Sequence, residues 1–220
     1  MIEQPSTAST TVAAPPGAGG GAERVGGDAE RLGARATRTR NAILEAARRL
    51  ILERGYLGTT VSDITDACRI SRAGFYTYFK DKREIFNVLG ESAYRDILEV
   101  VGQWDRIPRP ATAHDVRRWV STYFGYMDRH GAFVLATGQY PPSDEDIRAG
   151  ARRMQMRVAF LLGISLRSRQ RTPTDAPETL GLAIMAMLDR SWHFSQVQGL
   201  PVDRDELVRT TSQLILQALE

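Results

Sequence analysis

From Ile43 onward apolar residues recur at helical spacing. Ile43, Ala47, Leu50 and Ile51 share one face, and Gly55 stands where a helix would close in a left-handed cap. The spacing predicts a first helix over about 40–54. Thr60, with Asp63 three residues on, has the pattern of a capping box for a short helix over about 61–67, with Val61, Ile64 and Ala67 or Cys68 turned inward. Cys68-Arg69-Ile70 leaves room only for a tight turn, and Ser71 supplies the cap of a helix over about 72–79. Asp81 with Glu84 repeats the capping pattern and opens a long amphipathic helix through Ile85, Val88 and Leu89 toward Val101.

Beyond Gly102 the helical period continues, broken at Pro108, Pro110, Pro141-Pro142, Pro173, Pro177 and Pro201. Helices are expected near 113–129, 132–138, 144–169, 178–198 and 203–219. No period-2 strand and no Asn-Gly hairpin turn occurs in the sequence. The fold class is therefore all-α: a three-helix N-terminal head containing a helix-turn-helix, joined through the fourth helix to a larger helical body. The boundaries fall at 1–36, 37–84 and 85–220. The first of these segments, with Pro15-Pro16-Gly17 and Gly19-Gly20-Gly21, offers no apolar face to offset ordering entropy and is expected to be a disordered arm. Arg24, Arg31 and Arg35 could track phosphate, but a solvated tail is the stronger expectation.

Composition changes this picture little, and charge changes it more. Of the 220 residues 42% are hydrophobic and 25% charged, a globular balance that excludes wholesale disorder. A single cysteine, Cys68, rules out an internal disulfide. No signal peptide opens the chain and no apolar stretch reaches the ~20 residues of a membrane span, so a cytoplasmic protein without membrane contact is expected. The net charge of +3 is concentrated: residues 37–90 hold ten basic against six acidic residues, whereas residues 91–220 hold sixteen of each. A basic head on a neutral body suits a nucleic-acid-binding module attached to a part with another task.

In a helix-turn-helix the second helix enters the major groove, where its first residues must be small or able to hydrogen-bond. Here it opens Ser71-Arg72-Ala73-Gly74, with Arg72 able to donate twice to guanine. Phe75 and Phe79, four apart, are assigned to the core against Ile43, Leu50 and Ile64. Tyr76, Thr77 and Tyr78 then face solvent or DNA, although an aromatic core is an equal alternative for both tyrosines. Lys82, a cation at the start of a helix, opposes the helix dipole, a conflict that a phosphate would resolve. Thr59 and Thr60, at the start of the second helix, offer a second phosphate clamp.

The run Thr39-Arg40-Asn41-Ala42-Ile43-Leu44-Glu45-Ala46-Ala47 through Gly55-Tyr56, followed by Thr60-Val61-Ser62-Asp63-Ile64, Ile70-Ser71, Phe75-Tyr76-Thr77-Tyr78-Phe79 and Lys82-Arg83-Glu84, resembles the DNA-binding domain of the tetracycline-repressor (TetR) family over about residues 37–89. The resemblance implies a homodimeric, ligand-responsive transcriptional repressor on double-stranded operator DNA, with a helical C-terminal domain. It also implies phosphate contacts at Tyr76 and Lys82 and groove-facing roles for Arg72, Ala73 and Thr77. Tyr78 stands where histidine is common, and Gly74 where many relatives carry Thr or a larger residue.

The body is rich in aromatics and thioethers, able to line an adaptable apolar pocket or simply to fill a core. Trp119, Tyr123 and Met127 follow one another at one-turn spacing and, with Trp104 and Phe160, are the candidate ligand-binding set for a small apolar effector. Arg152, Arg153 and Arg157 are better explained as a charged helix face than as partners of an acidic ligand. Apolar positions on several faces of the last two helices, 178–198 and 203–219, predict a four-helix dimer interface. His114, His130 and His193 are scattered, and no metal-ligand spacing or phosphate loop occurs, so neither an enzyme nor a cofactor or metal is expected. The alternative is a constitutive or architectural DNA-binding protein with a filled body and no effector.

Overall fold

The computed structural model describes residues 22–137 and 145–220, and among them every regular element is helical. In order these are α1 (Ala22–Arg54), α2 (Val61–Cys68), α3 (Arg72–Tyr76), α4 (Lys82–Gly102), a 3-10 turn (Gln103–Arg106), α5 (Ala113–Ala136), α6 (Glu145–Arg167), α7 (Pro177–Gln196) and α8 (Arg204–Gln217). Residues 1–21 of the expected arm and the proline pair at 141–142 lie outside the described residues, as do the side chains of Arg24 and Arg31.

Three helix boundaries differ from expectation: α3 stops at Tyr76, where an end near Phe79 is expected, and two others differ more. α1 begins at Ala22 rather than near Arg40, so residues 22–36 are helical where an unstructured arm is expected. The stretch holds good helix formers such as Ala29, Ala34, Arg35 and Ala36, and it continues the helix despite Gly26, Gly27 and Gly33. Residues 113–136 form one helix, uninterrupted at Gly131, where a break is expected. An added Cβ at Gly131 would lie 2.4 Å from the Trp192 ring, so this glycine accommodates an indole.

The caps follow the sequence closely. Thr60 and Asp63 form a reciprocal box at α2, and Thr112 with Asp115 forms another at α5. At α4 only half of the box forms: Asp81 accepts from the Glu84 amide at 2.8 Å, while the Glu84 carboxylate turns back to accept from the Lys80 amide at 2.7 Å. Gly55 ends α1 with φ 75°, a conformation that favours glycine.

Among the described residues, those up to Thr39 form one compact unit and those from Arg40 on a second. Within the second, Ile43, Leu50, Ile64, Phe75 and Phe79 form the head's core as expected, and this core runs on through Ile85, Phe86 and Leu89 of α4 to Ala132 and Ala136 of α5. The body's core is built on Trp104, Trp119, Phe124, Met127, Leu162 and Leu188. α6 and α7 pair most intimately, through Ala159 and Gly163 against Pro177 and Gly181. Asp128 of α5 ties the far end together, accepting from Trp192 Nε1 at 2.7 Å and from both terminal nitrogens of Arg204 at 3.0 and 2.7 Å.

Candidate nucleic-acid interface and ligand cavity

The head presents α3 on a turn that reverses at Arg69, whose φ of 55° lets its amide close onto Asp66 O at 3.2 Å. Ser71 caps α3 by accepting from the Gly74 amide at 3.0 Å. Phe75 is fully buried and anchors the helix, leaving Arg72 and Ala73 exposed, Gly74 half-exposed, Tyr76 51% exposed and Thr77 exposed. Tyr78 is half-buried against the head's core. A Cβ at Gly74 would meet only the Ser71 hydroxyl, at 3.2 Å, so the head itself does not demand glycine there. An exposed tyrosine beside an arginine and small residues at the start of the helix is a surface able to approach base edges and phosphates.

The loop before α2 is arranged differently from expectation. Thr59 is wholly buried and its hydroxyl donates to Gly55 O at 2.9 Å, so its side chain closes the α1–α2 loop and cannot reach a phosphate. The Thr60 hydroxyl is likewise engaged, donating to Asp63 Oδ2 at 2.6 Å while accepting from the Asp63 amide at 3.1 Å. That hydroxyl, then the Thr60 amide, holds the Asp63 carboxyl below the usual carboxylate range. The Lys82 ammonium bridges two carbonyls, donating to Tyr56 O and Thr59 O at 2.6 Å each, and stands 4.2 Å from the Tyr56 ring centroid. The conflict with the α4 dipole is thus met within the head by carbonyl oxygens, and a phosphate contact would have to use the third N–H. Burial lowers the affinity of this amine for its proton, partly offset by Asp63.

The body holds a cavity of about 350 Å³ between α4, α5, α6 and α7. α4 contributes Ala93, Tyr94 and Ile97; α5 Tyr123, Tyr126 and Phe133; α6 Met154 and Val158; α7 Met185 and Asp189. Of the five expected ligand residues only Tyr123 lies on its wall, and its hydroxyl donates to Asp189 Oδ1 at 2.7 Å. Trp104, Trp119 and Met127 are core: Trp119 Nε1 donates to Val100 O at 2.9 Å, and Trp104 lies under the Arg169 guanidinium, 5.4 Å from its ring centroid. One-turn spacing puts Trp119 and Met127 on the same side of α5 as Tyr123, but Trp119 packs on the Trp104 ring, centroids 5.2 Å apart, and Met127 is wholly buried in the same core. Phe160 points outward, 47% exposed, on a face of α6 shared with Met156 and Ile164.

Asp189 does not stand out in the sequence, although a signal is there: it lies one turn from Met185, so an acid shares the face of an otherwise apolar helix. Burial raises its carboxyl to about 6, against the hydrogen bond from Tyr123 and the charge of Arg190. Burial raises the Tyr123 and Tyr126 phenols as well, so both are neutral donors at physiological pH. Among the described residues no cluster of His, Cys, Asp and Glu suits a metal ion, and no helix is long and apolar enough to cross a membrane.

A basic head with a helix-turn-helix on an all-helical body is an architecture found among DNA-binding proteins. Residues 43–89 match the family described as "Bacterial regulatory proteins, tetR family", so the head is similar to the DNA-binding domain of tetracycline-repressor regulators. It is 37% identical over 67 residues to the HTH-type transcriptional repressor AcnR of Corynebacterium glutamicum, an overlap of 30% of this chain and 36% of AcnR. The chain spans less than half the length of the curated relatives it matches. The similarity in fold extends further. The TetR-family regulator PfmR of Thermus thermophilus superposes with a TM-score of 0.63 at 25% identity, over 81% of this chain and 98% of PfmR. The transcriptional regulator FadR of Bacillus subtilis, in complex with stearoyl-CoA, gives 0.60 at 15% identity, over 81% and 98%.

Proposed function

We propose that the protein is a sequence-specific, homodimeric DNA-binding repressor that a small, largely apolar effector releases from a palindromic operator. The observation that carries this reading is the cavity and its wall. α4, whose first turn grips the head's loop through Lys82, contributes Tyr94 and Ile97 to the cavity. Phe133 lines the same cavity while its ring stacks 4.7 Å from Phe86 in the head's core. A ligand that moves either wall acts on the head through one rigid helix of 21 residues. In this reading the coupling runs through the middle of α4, at Tyr94 and Ile97. If the ligand favours the arrangement that cannot span two half-sites, DNA and ligand weaken each other's binding equally. The constitutive alternative requires a solid body, and the 350 Å³ space favours the regulated one.

In this reading Arg72 reads a base, Ala73, Gly74 and Thr77 line the groove, and Tyr76 contacts phosphate, with Tyr78 at the edge of the interface. The α2 amides capped by Thr60 and the third donor of Lys82 supply the remaining phosphate contacts. Selection of bound genomic fragments tests it directly: two half-sites about 34 Å apart are expected. Arg72→Ala is expected to erase the preference at one base in each half-site, at about 1–3 kcal/mol, whereas Tyr76→Phe weakens all sequences alike. An Arg72→Ala protein that selects the unchanged motif would remove this residue from the readout.

For the dimer face we propose a helix other than the last two. Most apolar residues of α7 and α8 are consumed inside the protomer, Ile184, Leu188, Val208 and Ile215 among them. The continuous outward stripe is instead Met156, Phe160 and Ile164 of α6, with Leu161 beside it. We place the partner protomer against this stripe, with α7 alongside. Ile164→Glu is expected to yield a folded monomer by light scattering, with operator affinity lost; a dimer that survives this charge would put the interface elsewhere.

A further inference from the structure

We infer that the cavity selects ligands carrying a basic nitrogen on an apolar body, with Asp189 as the counter-charge. The inference rests on the effector-cavity reading above and names the chemistry of its occupant. Asp189 stands on a wall otherwise built from Tyr123, Tyr126, Met154 and Met185. One carboxylate oxygen accepts from the Tyr123 hydroxyl; among the described residues no protein donor reaches the other. An ionised carboxylate has about four acceptor positions, so a single phenol leaves most of its capacity unmet on a largely apolar wall. Arg190 is the other charged residue lining the cavity among those described. It forms no ion pair with Asp189 within that set and lies instead over the Phe194 ring, 5.9 Å from the centroid. An ammonium group meets what remains: it brings donors and the opposite charge to the carboxylate, and it finds aromatic faces, the Tyr123 and Tyr126 centroids being 5.8 Å apart. A carboxylic acid of the same shape meets repulsion there, and a neutral alcohol offers one donor without charge.

Three probes that share one body separate these cases: 4-phenylbutylamine, 4-phenylbutan-1-ol and 4-phenylbutanoate, titrated into the full-length chain at neutral pH and followed by calorimetry and ligand-observed NMR. The amine is expected to bind about tenfold tighter than the alcohol, with the carboxylate weakest. In Asp189→Asn, which keeps an acceptor for Tyr123, the preference for amine over alcohol should fall to within about twofold. Equal binding of amine and alcohol to the native chain overturns the inference, as does a ranking led by the carboxylate, which would make Arg190 the determinant; in both cases the cavity stands as an apolar site. A native chain that binds none of the three overturns the cavity reading itself. The native ranking decides the matter even where the Asn variant folds poorly.

Discussion

Gly181→Ala is expected to be strongly damaging for one added methyl group, lowering stability by about 3 kcal/mol. A Cβ at position 181 would stand 1.8 Å from Ala159 O and 2.9 Å from the Gly163 amide nitrogen, and one at Gly163 would stand 1.7 Å from Pro177 O. Backbone atoms cannot step aside as a flexible side chain can, so α6 and α7 would have to separate along their contact, uncovering Leu162 and Leu188. This opposes the roughly 1 kcal/mol by which alanine normally improves on glycine inside a helix. Gly125, in α5, provides the control: nothing lies within 4 Å of an added Cβ, and Gly125→Ala should be neutral or stabilising by up to about 1 kcal/mol. Chemical denaturation of the two variants beside the parent measures both. Equal stability of Gly181→Ala and the parent would mean that α6 and α7 do not approach as closely as these distances require.

The second large effect is a dependence on pH that one residue imposes. Asp189 holds its proton up to about pH 6 in the folded chain, whereas the free side chain releases it near 3.8. Between those values the native state binds the extra proton, so stability contributed by this residue is full below about pH 4 and declines as pH rises to 6. Each tenfold difference in proton affinity between the folded and unfolded chain is worth about 1.4 kcal/mol, and with some allowance for solvent entering the cavity the decline amounts to roughly 2 kcal/mol. Asp63, Asp115 and Asp128, whose carboxyls are held below their ordinary range, act in the opposite direction. The measurement is therefore the difference between the parent and Asp189→Asn in denaturant midpoints from pH 4 to 7. The variant should gain on the parent through this window by roughly 2 kcal/mol. A difference that stays flat would place the carboxylate in ordinary solvent.

Much of the head is legible in the sequence because its determinants are local. Thr60 and Asp63, Ser71, Asp81 and Gly55 each act within four residues of themselves, and the Phe75–Phe79 pair follows from helical spacing. Lys82 stands out as a cation in conflict with its helix, but its partners are 23 and 26 residues away in sequence. Spacing along one helix cannot say which carbonyls a loop will present. Thr59 misleads for the same reason, since only the closed loop shows that its hydroxyl turns inward.

By itself the sequence determined the helical class, most of the caps and the helix-turn-helix with Arg72 at its start, because periodicity and capping are short-range and each residue's neighbours are its own chain; the exposure of Tyr76 it left open. What only the tertiary structure decided is which apolar residues surround empty space. Trp119, Tyr123 and Met127 are equivalent by spacing, yet one lies on the wall of the cavity and two are in the core. The cavity is walled by four helices whose lining residues range from Ala93 to Arg190. Whether a side chain there packs or leaves a gap depends on volumes contributed by distant segments, to which a hydrophobic pattern is blind. The same competition for burial exposed the Phe160 stripe of α6, because α7 covered the other side of that helix.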